Sequence, residues 1–239
     1  MLKARVATAA VLIPAVVGGV LLLDTRWFAA LAGLIFLLGA WEWLLLAGYP
    51  RAGARIGFLF LAAAGVLLWP WIGLAAGPLA LGASLGWLLG LIWVHAYQSG
   101  SVGAGPAPVR IATGLMVLLP AWTSLVALHA RNPDGRWWVL FLLVMIWIAD
   151  TAAFFAGRRF GRRRLASAVS PGKSWEGVFA GLLGGLGVGV AFGLYRDMQG
   201  VEILVFLMVC ACTVAASVIG DLLESMMKRS VNVKDSGSL

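Results

Sequence analysis

The densest set of chemically capable residues lies near the C-terminal end, in Gly220-Asp221-Leu222-Leu223-Glu224-Ser225-Met226-Met227-Lys228-Arg229. On a helix, Asp221, Glu224, Ser225 and Lys228 fall at i, i+3, i+4 and i+7 and share one face; Leu222, Leu223, Met226 and Met227 form the other. A carboxylate, a hydroxyl and an ammonium on one stripe suit a metal–phosphate site. Asp221 would hold a hard cation such as Mg2+ while Lys228 neutralises phosphate oxygens. An interfacial amphipathic helix without catalytic duties carries the same pattern.

A second group is Ser170-Pro171-Gly172-Lys173-Ser174-Trp175-Glu176-Gly177. Pro-Gly predicts a turn, Ser174 an N-cap, and Lys173 a cation at the positive end of the next helix. Such a helix start binds phosphate. It is not a Walker A loop, which needs glycine where this chain has Ser167, and a preceding strand. Five arginines, Arg158, Arg159, Arg162, Arg163 and Arg164, come just before it, and a basic cluster beside a helix end attracts anionic lipid headgroups.

Acidic residues inside apolar runs are functional candidates, because an unpaired carboxylate in hydrocarbon is costly. Glu42, Asp150 and Asp221 qualify, with pairing to an Arg or Lys as the structural alternative. Asp150 joins Asp221 as a metal candidate. His95 and His129 have no partner at ligand spacing and read as packing residues. Cys210 and Cys212, two apart, point to different faces of a helix, so no disulfide between them is expected. No Ser/His/Asp, Cys/His or zinc arrangement is visible.

The elements that position these groups must be membrane helices. Of 239 residues, 62% are hydrophobic and 12% charged, against about 25% charged in a soluble domain. That excludes an ordinary soluble fold and disorder. The expected fold class is an all-α polytopic membrane bundle forming one domain. At about 20 residues per span, eight helices fit, near 6–23, 27–47, 56–71, 74–97, 111–130, 137–156, 175–195 and 201–220. The first run has the basic start and apolar middle of a signal peptide, but its length and the spans that follow mark it as a retained helix. Segments 157–174 and 221–239 are left as cytoplasmic catalytic segments.

With the N-terminus in the cytoplasm, 14 of the 18 Lys and Arg residues fall inside, as the positive-inside rule requires. The net charge of +8 then belongs to one membrane face and implies no nucleic-acid partner. Trp27, Trp69, Trp71, Trp137 and Trp175 sit near span ends, where indole rings favour the interface. Gly177, Gly181, Gly185, Gly189 and Gly193 recur every four residues, as do Gly82, Gly86 and Gly90, a spacing that lets helices approach closely. These ladders allow a homodimer as readily as packing within one chain, and they leave room for a groove that takes a lipid chain.

Two phosphate-type sites, a metal carboxylate and no general base point to phosphoryl or nucleotidyl transfer at the membrane surface. Ser225-Met226-Met227-Lys228-Arg229 followed by Lys234-Asp235-Ser236-Gly237 resembles the signature of the phosphatidate cytidylyltransferase (CDP-diacylglycerol synthase) family. Gly220-Asp221, Ser170–Gly177 and the Asp150-Thr151 … Gly157-Arg158 stretch are similar to that family as well. The resemblance implies an integral protein of a bacterial-type inner membrane, with its site facing the cytoplasm, that makes CDP-diacylglycerol and pyrophosphate from CTP and phosphatidate with Mg2+, or with a second cation besides. It implies metal binding at Asp221, phosphate binding by Lys173, Lys228, Arg229 and Lys234, a hydrogen-bonding Ser225, and a metal-binding or lysine-orienting Asp235. Ser170, Gly172 and Ser174 would join Lys173 around the nucleotide. The chain reaches Leu239 within that signature, so a further metal carboxylate and a final family helix are expected to be missing, and little or no activity with them. The competing readings are a transporter or flippase for an anionic lipid or small anion, and a non-catalytic scaffold. Polar residues gathered on one side, with no matched pair of broken helices, weigh against the transporter.

Overall fold

Apolar segments in a bilayer must satisfy their backbone polar groups internally, and helices do so segment by segment. The computed structural model describes residues 2–49, 53, 55–60, 62–64 and 76–231. Its long helices are α1 (Leu2–Leu22), α2 (Thr25–Leu46), α3 (Ala76–Gln98), α4 (Ala107–His129), α5 (Gly135–Phe160), α6 (Trp175–Tyr195) and α7 (Val201–Ser230). Five of these, α2, α4, α5, α6 and α7, are long and apolar enough to cross a membrane. The expected third span is helical at 55–60 and 62–64, and its end, 65–71 with Trp69 and Trp71, lies outside the described residues. Helix α7 does not stop at Gly220 but continues through Asp221 to Ser230, burying Leu222, Leu223, Met226 and Met227.

The structure is predominantly helical, consistent with the expected all-α membrane protein, with one short exception. Between α5 and α6 stands an antiparallel hairpin of β1 (Arg164–Ala166) and β2 (Ser170–Ser174), paired Arg164 with Ser174 and Ala166 with Ser170. Its turn falls at Ser167-Ala168-Val169, so Pro171 and Gly172 lie in a strand and not at the bend. A two-stranded hairpin is all edge, so the N–H that Pro171 lacks removes no interior ladder bond. Ala166 and Val169 are each 1% exposed and pack in one cluster with Leu222, Leu223, Met226 and Met227. That apolar anchor seats the hairpin on α7.

The long glycine ladder is a packing seam. A Cβ on Gly177 or Gly181 would meet the α5 carbonyl oxygens of Ala153 at 2.9 Å and Ala149 at 3.0 Å. Farther along α6, Gly189 and Gly193 face Leu207, Cys210 and Ile203 of α7. In α3 the same spacing has a different meaning. Only Gly86 is crowded, by Met116, while Gly82 and Gly90 face open space. Cys210 is buried and Cys212 exposed, both free.

At the end of the bundle away from the hairpin, His129 is buried and stacked on Phe28. Its Nε2 donates to the Val20 carbonyl at 3.0 Å, which leaves Nδ1 to accept from the Thr25 hydroxyl at 3.0 Å. Arg196 pairs with Asp134 at 2.6 Å, tying the end of α6 to the start of α5. Trp27, Trp137 and Trp175 are exposed at helix ends.

Candidate active site

Helices α5, α6 and α7 and the hairpin enclose a cavity of about 790 Å³. Its polar lining is Asp150 and Arg158 from α5, Arg164 from β1, Lys173 and Ser174 from β2, and Ser217 and Asp221 from α7. The glycine seam determines where these groups stand. Gly157, Gly161, Gly177 and Gly181 line the same cavity, and side chains there would fill it or force α5 from α6.

Across the cavity Lys173 Nζ donates to Asp221 Oδ2 at 2.6 Å, joining groups 48 residues apart. Both side chains keep solvent contact, so this is a pair that incoming ligands can reach, not a sealed core bridge. Asp150, within an apolar helix, is exposed towards the cavity instead of lipid-bound hydrocarbon partners.

Ser174 is the N-cap of α6, and its Oγ accepts from the Gly177 N–H at 3.2 Å. The Trp175 N–H donates to the Arg163 carbonyl at 3.0 Å, and Glu176 places a carboxylate in the same turn. Two amides at this helix start thus have acceptors within the chain, and the Glu176 carboxylate lies against the Arg162 and Arg163 amides. Lys173, just before the helix, is the cation of this segment that lines the cavity. Gly172 lines the cavity with open space around it, whereas Ser170 sits at the far end of the hairpin beside Ala166 and does not line it.

The expected common face of Asp221, Glu224, Ser225 and Lys228 divides. Glu224 pairs with Lys228 at 2.7 Å and lines a separate cavity of about 280 Å³ that also holds Glu42, Trp43 and Trp87. Ser225 lies one turn beyond Asp221, outside the lining of the larger cavity. Arg229 turns to the hairpin, its Nε 3.4 Å from the Val169 carbonyl. Lys234 and Asp235 lie outside the described residues.

Three lining residues carry more than their sequence context suggests. Ser217 sits four positions before Asp221 on the same helical face, a spacing that could have marked it. Of the five arginines, Arg158 and Arg164 line the cavity, while Arg159, Arg162 and Arg163 do not.

Among the described residues, no three of His, Cys, Asp and Glu gather as a complete metal cage. Mg2+ does not require one. It binds through one or two carboxylates and completes its octahedron with water and substrate phosphates. Asp150 and Asp221 on opposite helices of an open cavity fit that donor set.

The fold is a bundle of helices of membrane-crossing length and apolarity, with a polar cavity lined by cations between them. The sequence matches the model of the cytidylyltransferase family over residues 3–239, and the chain belongs to that family. It is 40% identical to the phosphatidate cytidylyltransferase of Pseudomonas aeruginosa, covering 100% of this chain and 88% of that protein. It is 34% identical to the Haemophilus influenzae protein of the same name, covering 100% and 90%. A chloroplastic phosphatidate cytidylyltransferase of Arabidopsis thaliana is 38% identical over 50% of this chain and 29% of its own length.

Proposed function

We propose that the chain transfers the cytidylyl group of CTP to phosphatidate, giving CDP-diacylglycerol and pyrophosphate, in the cavity between α5, α6, α7 and the hairpin. The observation that carries this reading is the Lys173–Asp221 contact, which joins the two motifs in one open cavity. A phosphatidate phosphate oxygen forms a bond to the α-phosphorus of CTP, and the bond from that phosphorus to the bridging oxygen of the β-phosphate breaks. The attacking phosphate is already ionised, so no general base is required. The difficulty is to bring two polyanions into line, which is a task for fixed cations.

Lys173, Arg158 and Arg164 supply those cations from the cavity wall. At rest Lys173 and Asp221 neutralise each other. When phosphates enter, Lys173 exchanges the carboxylate for phosphate oxygens, and Asp221 becomes free, with Asp150, to hold Mg2+. The metal would offset charge on the triphosphate and the leaving pyrophosphate. Ser217 offers a hydroxyl one turn from Asp221. Ser225, Lys228, Arg229, Lys234 and Asp235 stay in the proposal as phosphate or metal partners from the C-terminal motif, and Ser170, Gly172 and Ser174 as the shape of the nucleotide side. The acyl chains remain in the bilayer. The orientation is N-terminus inside, with eight spans in a bacterial-type inner membrane and the cavity open to the cytoplasm.

The test is pyrophosphate release by the full-length protein in mixed micelles. Release that requires CTP, phosphatidate and Mg2+ together is expected; no release with any divalent cation would overturn the assignment.

A further inference from the structure

The reach of Lys173 and Arg164 depends on the root of the hairpin, and the root is held by one side chain. Glu176, in the first turn of α6, accepts from two backbone amides of the segment between α5 and β1. Its Oε2 lies 3.1 Å from the Arg162 N and its Oε1 3.2 Å from the Arg163 N, with a second Oε2 approach to Arg163 at 3.3 Å. The Arg163 carbonyl in turn accepts from the Trp175 N–H at 3.0 Å. The next residue pair, Arg164 with Ser174, is the first rung of the hairpin. The clamp thus closes directly beneath the two strands that carry Arg164 and Lys173.

The surroundings leave the clamp little play. A Cβ on Gly161 would collide with the Gly157 carbonyl and stand 2.8 Å from Ser174 Oγ. Ser174 is itself fixed by capping Gly177. The chain therefore leaves α5 along one path, and Glu176 fixes the two amides on it. Neither Arg162 nor Arg163 lines the cavity, so Glu176 binds this segment and not the substrate.

We propose that Glu176 is a positioning residue for the transfer reaction: by binding the Arg162 and Arg163 amides it sets the hairpin so that Lys173 and Arg164 reach the phosphates. This rests on the placement of Lys173 in the proposed site. The competing role is purely local. An acidic side chain at a helix start also stabilises the helix through its dipole. The two roles require different properties of the side chain. Positioning requires reach and an acceptor; dipole stabilisation requires charge.

Two conservative variants separate them. Glu176→Asp keeps the charge but is one methylene too short to reach both amides. Glu176→Gln loses the charge and keeps one oxygen in place of two, which at the Oε2 position still reaches both amides. Each is assayed for kcat and for the CTP KM, and the amides of 162–174 are followed by hydrogen exchange in detergent micelles. Positioning predicts that Glu176→Asp loses protection across the hairpin, with kcat/KM for CTP down about 10²-fold, the scale of an ångström-size misplacement. Glu176→Gln, with one acceptor oxygen left, keeps more of both than Glu176→Asp. The proposal is overturned if Glu176→Asp keeps both parental protection and parental kcat/KM, or if Glu176→Gln is the more impaired of the two. Glu176→Asp decides the matter alone if Glu176→Gln does not fold, and if Glu176→Asp does not fold, lost activity with parental hairpin protection in Glu176→Gln overturns it. Hydrogen exchange reads the clamp in the absence of any substrate. Loss of protection in Glu176→Asp without any CTP-dependent turnover in the parent protein would count against the assigned reaction and leave the clamp standing.

Discussion

The Lys173–Asp221 pair is the residue-scale centre of the site. The two side chains neutralise each other across the cavity, and both remain reachable by solvent. Removing one leaves the other with an unmatched charge in a confined space. Asp221→Asn and Lys173→Met are therefore each expected to lower kcat by about 10³-fold without loss of folded yield, checked by pyrophosphate release and gel filtration. The motifs mark the two residues as candidate metal and phosphate ligands, but their meeting was not legible, because it depends on how α7 crosses the hairpin. Glu224 and Lys228 show the complementary failure. A helix turns 100° per residue, so Glu224 stands about 60° from Asp221. A wheel groups them on one face, yet packing places Glu224 on the lining of a different cavity. Ser174 was legible as a cap because the N-cap pattern is local, while Glu176 was not legible as a clamp because its partners, at 162 and 163, come from the connection between α5 and β1.

At the scale of elements, glycine spacing determines how closely α5 and α6 approach, and so the width of the cavity. Gly181→Val places a Cβ against the Ala149 carbonyl and Ala153 Cβ, which lie 3.0 and 3.2 Å away. Backbone cannot swing aside as a flexible side chain would. The variant should lose about 1–3 kcal/mol of stability in thermal unfolding in detergent and lose activity with it. Gly187→Ala, on the same helix with open space at its Cβ, should be neutral or stabilising by up to about 1 kcal/mol. Equal effects of the two would contradict the seam. The bounds of α6 were legible because apolar runs and span length are strong local signals: it falls at Trp175–Tyr195, where the sequence predicts it, whereas α7 continues past Gly220 to Ser230. The hairpin was not, since Pro-Gly is a turn pattern and the competing force is tertiary, the burial of Ala166 and Val169 beside Met226 and Met227. The α3 ladder shows the same limit, for spacing specifies which face is small but not whether a neighbour comes to it.

Over the whole molecule, the basic residues divide the bundle into two unlike ends. The hairpin end carries the arginine cluster, Lys173 and Lys228; the opposite end carries the Arg196–Asp134 and Arg136–Asp24 pairs and the buried His129. With Cys210 and Cys212 replaced, Ala168→Cys in the hairpin turn should react with an impermeant thiol reagent only after the inner membrane is opened. Gln199→Cys, between α6 and α7, should react in cells whose inner membrane is intact; the reverse pattern would invert the orientation. Lys173 and Asp221 join the two motifs into one site, and a double-mutant cycle on kcat/KM for CTP measures that union. If Lys173 and Asp221 act as a unit, Lys173→Met combined with Asp221→Asn should be scarcely worse than either alone, since each single change already removes the shared function. Losses that multiply, so that the double variant falls by the product of the two singles, would mean that Lys173 and Asp221 serve separate sites.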